Sequence, residues 1–264
     1  GHHRRQRQMC IRDSSNAILY GNKNKLEEYS ENENPIVLQL GGNDPESLAK
    51  VSKMANMFNY DEIDLNLGCP SPRVSNGGFG AAMMNHPQLV CDCLNAIKEN
   101  FNNEVSVKIR LGTDDNDIDE TLDNFVKEIE SCDIKIFYVH ARKAILKGLS
   151  PKQNREIPPL NYERVRKLKD DFPDLEIIIN GGIKKLSFLQ DNDLQNLDGI
   201  MIGREAYSNP LIFKDVDKKI KAELNRDISI YEITQKMFDY FETLENESHC
   251  LLYTSPSPRD SMTS

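Results

Sequence analysis

Nowhere in this chain of 264 residues does an apolar run approach the ~20 residues that a bilayer-spanning helix needs. No stretch has the charged start and short apolar centre of a secretory signal either. The six cysteines form no C-x-x-C pair, which argues against a local metal knuckle and for free thiols in a reducing compartment rather than a disulfide framework. Cys91 and Cys93, two apart on an expected helix, point to different sides, so they make no metal site together. Basic charge is also short. The net charge is -9, and the first fifteen residues hold Arg4, Arg5, Arg7 and Arg12 against Asp13, so the remainder is more acidic still. A general nucleic-acid binder would carry the opposite balance. Hydrophobic residues at 38% and a mean hydropathy of -0.58 read as a soluble chain.

What is present is a rhythm. Short apolar runs recur at Pro35–Leu40, Ile63–Leu67, Val105–Arg110, Ile136–His140, Glu176–Asn180 and Gly199–Arg204. Between them lie stretches with helical spacing, such as Leu48, Val51, Met54, Ala55 and Phe58 behind the capping pair Asp44-Pro45. Further examples are Leu89–Phe101, Leu122–Ile129, Tyr162–Asp171 and a polar helix near Lys184–Gln195. Alternating strands and helices predict an α/β fold with a parallel sheet. Polar residues sit at or just past the C-terminal ends of the strands: Gln39, Asn66, Cys69, Lys108, Arg110, His140, Asn180 and Arg204. A doubly wound sheet would gather its ligand groups at one crevice. Contributions from every strand instead predict a TIM-type (β/α)8 barrel, whose active site is built at that end.

The chain is expected to divide into a non-native-looking tail at 1–15, a catalytic barrel at 16–209, the start of a helical domain at 210–247 and a second foreign-looking tail at 248–264. The apolar stripes at Leu211–Leu224 and Ile228–Leu244 suit amphipathic helices. One segment opposes the general acidity. Between His140 and Pro159, Arg142, Lys143, Lys147, Lys152 and Arg155 face only Glu156. A loop of that length on the active-site side is usually functional, and its charge suits a phosphate-rich substrate larger than the pocket.

The stretch Asp64-Leu-Asn-Leu-Gly-Cys-Pro-Ser-Pro-Arg-Val-Ser-Asn-Gly-Gly-Phe-Gly80 says the most. A lone cysteine beside a turn is ordinarily a packing residue. This one ends a strand and begins a loop too rich in Gly, Pro and Ser to pack as core. Together with Val107–Gly112, the His140–Pro159 loop, Asn180-Gly-Gly182 and Gly199–Tyr207, it resembles the tRNA-dihydrouridine synthases, most closely their bacterial A subfamily. The likeness covers roughly residues 16–245.

That resemblance implies reduction of the C5=C6 bond of uridine in the tRNA D-loop, near positions 20 and 20a, with FMN recharged by NADPH. Hydride would reach C6 from the reduced flavin, and Cys69 would protonate C5 as general acid. Asn66 would read the uracil edge, since an amide offers a donor and an acceptor together. Gln39 and His140 would bond the flavin ring or ribityl chain. Lys108 would sit against the isoalloxazine and favour its anionic reduced form. Asn180, Gly181 and Gly182, with Gly203 and Arg204, would hold the phosphate beyond the last two strands. Arg73, Arg142, Lys152 and Arg155 would meet the tRNA backbone. No metal is implied, and a cytoplasmic monomer without a membrane is expected, an organelle staying open. Against the family's pattern only six strands are counted, so the first two strands of the barrel and the end of the helical domain are expected to be missing. Two other readings remain: a flavin-dependent barrel oxidoreductase acting on a small molecule, and a non-catalytic RNA-binding fragment.

Overall fold

The computed structural model describes residues 7–20, 35–114, 116–209, 211, 212 and 235. Within them lies one parallel sheet of seven strands in sequential order. These are β1 (Arg7–Ser14), β2 (Ile36–Gly41), β3 (Glu62–Leu67), β4 (Glu104–Arg110), β5 (Ile136–His140), β6 (Glu176–Asn180) and β7 (Gly199–Met201). The helices are α1 (Ser15–Tyr20), α2 (Pro45–Ala55), α3 (Pro72–Asn76), α4 (Pro87–Asn100), α5 (Glu120–Ser131), α6 (Tyr162–Asp171), α7 (Phe188–Asp191) and α8 (Arg204–Ser208). Each strand pairs with its neighbour in sequence and the order never reverses, so the topological switch of a doubly wound sheet is absent from these strands. Sequential order is that of a barrel wall. No pairing joins β7 back to β1 among the described residues, and the sheet is open there.

The count of six strands is corrected to seven. Arg7–Ser14, set aside on sequence as aperiodic, forms β1 and pairs in parallel with β2 from Arg7↔Ile36 to Ser14↔Gly41, with one register shift. A ladder is made by backbone N–H and C=O groups, so a segment without hydrophobic alternation can still complete an edge. The helices expected at 211–224 and 228–244, and the tail at 248–264, lie almost entirely outside the described residues. No helix among the described residues is long and apolar enough to cross a membrane.

Local chemistry explains the elements. Asp44 caps α2 by accepting the Ser47 N–H at 3.0 Å, and Pro45 occupies the first turn, where its missing N–H costs nothing. On α5, Leu122, Phe125, Val126 and Ile129 are all buried, which is one stripe at helical spacing. Alternation within the strands gives the sheet two different faces. Ile63, Leu65 and Leu67 of β3, with Val105, Val107 and Ile109 of β4, join the main core under the helices. The intervening residues, Glu62, Asp64 and Asn66 with Ser106, Lys108 and Arg110, face the other way. Burying each aliphatic side chain on the first face contributes about 1.5–3 kcal/mol. The second face is the one that carries chemistry.

The cysteines also depart from expectation. Cys91 on α4 and Cys132, the C-cap residue of α5, form a disulfide with Cα atoms 5.9 Å apart, while Cys93 is buried as a thiol. Spacing rules detect partners a few residues apart. These two are 41 residues apart and meet because successive helices of a βα repeat pack side by side. No cluster of metal ligands exists among the described residues.

Candidate active site

The polar face of the sheet is organised by register. Asn66 on β3 aligns with Lys108 on β4 and Tyr138 on β5. One step further along, Arg110 aligns with His140, and His140 with Asn180 on β6. Registered residues of parallel strands share a face, so Asn66, Lys108, Arg110, His140 and Asn180, five of the polar residues expected to converge, lie on one face in two rows. At the base of the same face Gln39 aligns with Asp64, and Asp64 with Ser106.

Cys69 is half-buried in the loop that leaves β3. Asn66 shapes that loop: its Oδ1 accepts the backbone N–H groups of both Gly68 and Cys69 at 3.0 Å. Its Nδ2 donates to Gln39 Oε1 at 3.0 Å, and Gln39 Nε2 donates to Asp64 Oδ2 at 2.6 Å. The far side of the loop is equally fixed. The Cys69 carbonyl accepts from Ala81 N at 3.0 Å. Gly80 permits this approach: at φ 67° it adopts a left-handed conformation, and a Cβ there would lie 2.6 Å from the Cys69 carbonyl oxygen. Ser71 caps α3 by accepting the Val74 N–H, which sets the exposed Arg73 on the loop's outer side.

Arg110 is the residue whose importance sequence reading missed. It is buried, and its Nε donates to the Gly68 carbonyl at 3.1 Å. Its Nη1 donates to the carbonyls of Lys143 at 3.2 Å and Asn154 at 3.0 Å. One side chain thus ties the Cys69 loop to the long basic loop at two points. Burial pulls its pKa down to about 10, which leaves it charged at neutral pH. Asn154 is fully buried at the centre of the basic loop: it accepts the Ile145 N–H and donates back to the Ile145 carbonyl, both at 2.8 Å. Nothing in the sequence marks it among the other polar residues of that segment.

The basic loop is therefore built rather than loose, and its cations divide. Arg142 donates to the carbonyls of Glu156 and Pro158, so it pins the loop to itself. Arg155 is half-buried, whereas Lys152 is exposed. Arg204, the first residue of α8, is exposed and pairs with Glu156 at 3.3 Å. His140 is buried among these charges. Burial first, then the positive charges of Arg110, Lys108, Arg142 and Arg204, lowers its pKa to about 2. Its imidazole is neutral at neutral pH, beside a positive field.

Beyond β6 the chain makes a turn open only to glycine. Gly181 and Gly182 have φ of 117° and 69°. A Cβ on Gly181 would lie 2.8 Å from His140 Cδ2, and one on Gly182 would lie 2.7 Å from the Tyr162 hydroxyl oxygen. Asn180 Nδ2 donates to the Met201 carbonyl at 2.8 Å, joining this turn to the end of β7. A Cβ on Gly203 would meet nothing closer than Asn180 Nδ2 at 4.0 Å, so no protein atom crowds the backbone there.

Deeper on the same face lies a buried acidic group. Ser106 Oγ is 2.5 Å from Glu62 Oε1 and 3.3 Å from Asp64 Oδ1, and the Tyr138 hydroxyl lies 3.4 Å from Glu62 Oε2. Burial raises the Asp64 carboxyl to about 7, Gln39 partly offsetting that rise and the Glu62 charge adding to it. Burial and the same two carboxyls also push the Tyr138 phenol up.

The chain is 48% identical over 230 residues to the tRNA-dihydrouridine(20/20a) synthase of Escherichia coli O6:H1, covering 87% of this chain and 69% of the relative. It is 49% identical over 230 residues to the enzyme of that name from Vibrio parahaemolyticus, covering 87% and 70%. The Pasteurella multocida protein of the same name is 48% identical over 229 residues, covering 87% and 69%. The sequence profile of dihydrouridine synthases (Dus) matches residues 9–253, and the chain belongs to the dihydrouridine synthase family.

Proposed function

We propose that this protein reduces the C5=C6 bond of uridine in the D-loop of tRNA, at positions 20 and 20a, to 5,6-dihydrouridine. One observation carries the reading: a half-buried cysteine held on a built loop at the C-terminal end of β3, with Asn66, Lys108, Arg110 and His140 on the same face. The names of the relatives supply the reaction, and the closed (β/α)8 barrel is inferred with it.

The residues present suit FMN. A flavin phosphate needs backbone amides reachable without side chains between, and a cation nearby. The glycines beyond β6 and the uncrowded backbone at Gly203 meet the first need, and Arg204 the second. FMN held there would supply hydride chemistry for C6 of the uracil, with NADPH as its reductant. Lys108 lies level with Asn66 and would hold negative charge on the flavin side of the site. Neutral His140 and Gln39 would hydrogen-bond the cofactor. Cys69 donates its proton to C5, and Asn66 meets the uracil edge through the second hydrogen of its NH2 group while its Oδ1 keeps the loop in place. Arg73 and Lys152 are exposed and would contact phosphates directly, while the half-buried Arg142 and Arg155 would add positive charge from within the basic loop. The target nucleotide must leave its stack to enter, at a cost of a few kcal/mol.

The test combines absorbance and product. The purified chain with FMN should show a bound-flavin band that NADPH bleaches. Unmodified tRNA should then gain dihydrouridine at positions 20 and 20a by nucleoside mass spectrometry. A bleached flavin that turns over free enones or pyrimidines but leaves tRNA unchanged would replace this reading with a small-molecule reductase. Absence of any bound flavin would remove it.

A further inference from the structure

The hydrogen bonds below the Cys69 loop run in one direction only. Asn66 Oδ1 faces two backbone N–H groups, of Gly68 and Cys69, which can only donate. The Asn66 amide therefore has one possible orientation, with Nδ2 toward Gln39. Gln39 must answer with Oε1, which turns its own Nε2 toward Asp64 at 2.6 Å. The group at the end of this sequence has to be an acceptor. A donor there would rotate Gln39, set two NH2 groups against each other and release the two loop amides.

Asp64 is fully buried on the polar face and reaches the Cys69 loop through Gln39 and Asn66. We propose that Asp64 is a positioning residue for the Cys69 loop, acting as the terminal acceptor that orients the amides of Gln39 and Asn66. The inference rests on the reading of Cys69 as the acid of this site. It requires an acceptor at Asp64 Oδ2, and it does not require a negative charge.

The surroundings fit an acceptor that can share a proton. Ser106 has one hydroxyl hydrogen and two carboxyl oxygens within reach, on Glu62 and Asp64. Both contacts become hydrogen bonds when one carboxyl is protonated: Asp64 Oδ1 donates to Ser106 Oγ, and Ser106 donates to Glu62. Asp64 Oδ2 stays an acceptor in that arrangement. An asparagine at position 64 reproduces it, with its carbonyl oxygen toward Gln39 and its NH2 group toward Ser106. A leucine of similar size cannot.

The experiment compares Asp64→Asn with Asp64→Leu in the full chain. The first readout is the alkylation rate of Cys69 by iodoacetamide, followed by peptide-resolved mass spectrometry so that other thiols do not interfere. It needs neither flavin nor tRNA, so its result stands apart from whether dihydrouridine is made. Loss of one buried hydrogen bond opens a loop by on the order of tenfold. D64L should raise the Cys69 rate by about that factor, and D64N should recover most of the difference. The second readout is dihydrouridine formation, where D64L should lower kcat with little change in the KM for tRNA. If D64L does not fold, Gln39→Met cuts the same relay one step nearer Cys69 and should give the same rise. An unchanged Cys69 rate in the apolar variants would overturn the proposal. An equal rise in D64N and D64L would overturn it too, by showing that charge or packing, rather than an acceptor, holds the loop.

Discussion

Replacing Arg110 with methionine should cost both stability and order in the active site. The side chain is buried and donates to three backbone carbonyls, those of Gly68, Lys143 and Asn154. Charge-assisted hydrogen bonds contribute about 1.5–3 kcal/mol each, so three amount to roughly 4–9 kcal/mol. Removing the cation also removes its burial penalty, which is several kcal/mol and is visible in its lowered pKa. The hydrogen bonds outweigh the penalty, and the net loss expected is about 2–4 kcal/mol. Methionine fills most of the volume, so a cavity adds little. Urea unfolding of wild type and R110M measures the difference. The alkylation rate of Cys69 should rise as well, because Arg110 holds the carbonyl of the residue before it. Arg110→Lys should fall between the two, since an ammonium on a flexible stem cannot span three carbonyls as a guanidinium fork does. A loss under about 1 kcal/mol with unchanged Cys69 reactivity would refute the role given to this residue.

Gly181→Ala should destabilise the protein by more than the roughly 1–2 kcal/mol of its φ of 117°, because the added methyl meets His140 and Leu160 below 3 Å; a melting temperature within one degree of wild type would contradict this. Reduction of Cys91–Cys132 releases a crosslink between residues 41 apart. Loop-closure entropy puts its contribution near 4 kcal/mol at most, so a urea midpoint that does not fall with dithiothreitol would show the bond to be thermodynamically idle. His140 gives a signed pH dependence. Its folded pKa of about 2 lies below the free value of about 6.5, so only the unfolded chain takes up the proton and stability is lost as pH falls below about 6.5. Asp64, raised to about 7 in the folded state, works the opposite way and gains stability as pH falls from about 7 toward 4. Denaturation at pH 6.5 and pH 5 should show His140→Gln relieved of up to about 2 kcal/mol of acid loss, and parallel profiles for the two proteins would contradict the assignment.

Strands β2 to β7 were legible because each is a short apolar run bounded by turn residues, and Asp44-Pro45 announced the start of α2 by side-chain chemistry alone. The convergence of Asn66, Lys108, Arg110, His140 and Asn180 followed from their common place at the C-terminal ends of successive strands, which a barrel gathers at one mouth. What stayed hidden depends on partners far apart in sequence. β1 is held by backbone groups that no side-chain pattern reports. Cys91 and Cys132 meet only after two helices pack. Arg142, expected to face a substrate, is occupied by the carbonyls of its own loop. Arg110 stood out as a polar strand end, but its grip on three carbonyls in two loops depends on where those loops return. Asn66 carries a structural duty that its motif does not declare, since the backbone amides it accepts become its partners only when the chain turns at Gly68.

The central claim is that Cys69 gives the proton that completes reduction of a tRNA uridine. Single-turnover reaction of the FMN-loaded, NADPH-reduced protein with unmodified tRNA tests it directly, comparing wild type with Cys69→Ala. The account predicts dihydrouridine at positions 20 and 20a from wild type. It predicts intact flavin binding and reduction in the variant, with dihydrouridine lowered by about 10²–10⁴-fold, the usual contribution of a positioned general acid. Equal product from both proteins would contradict it.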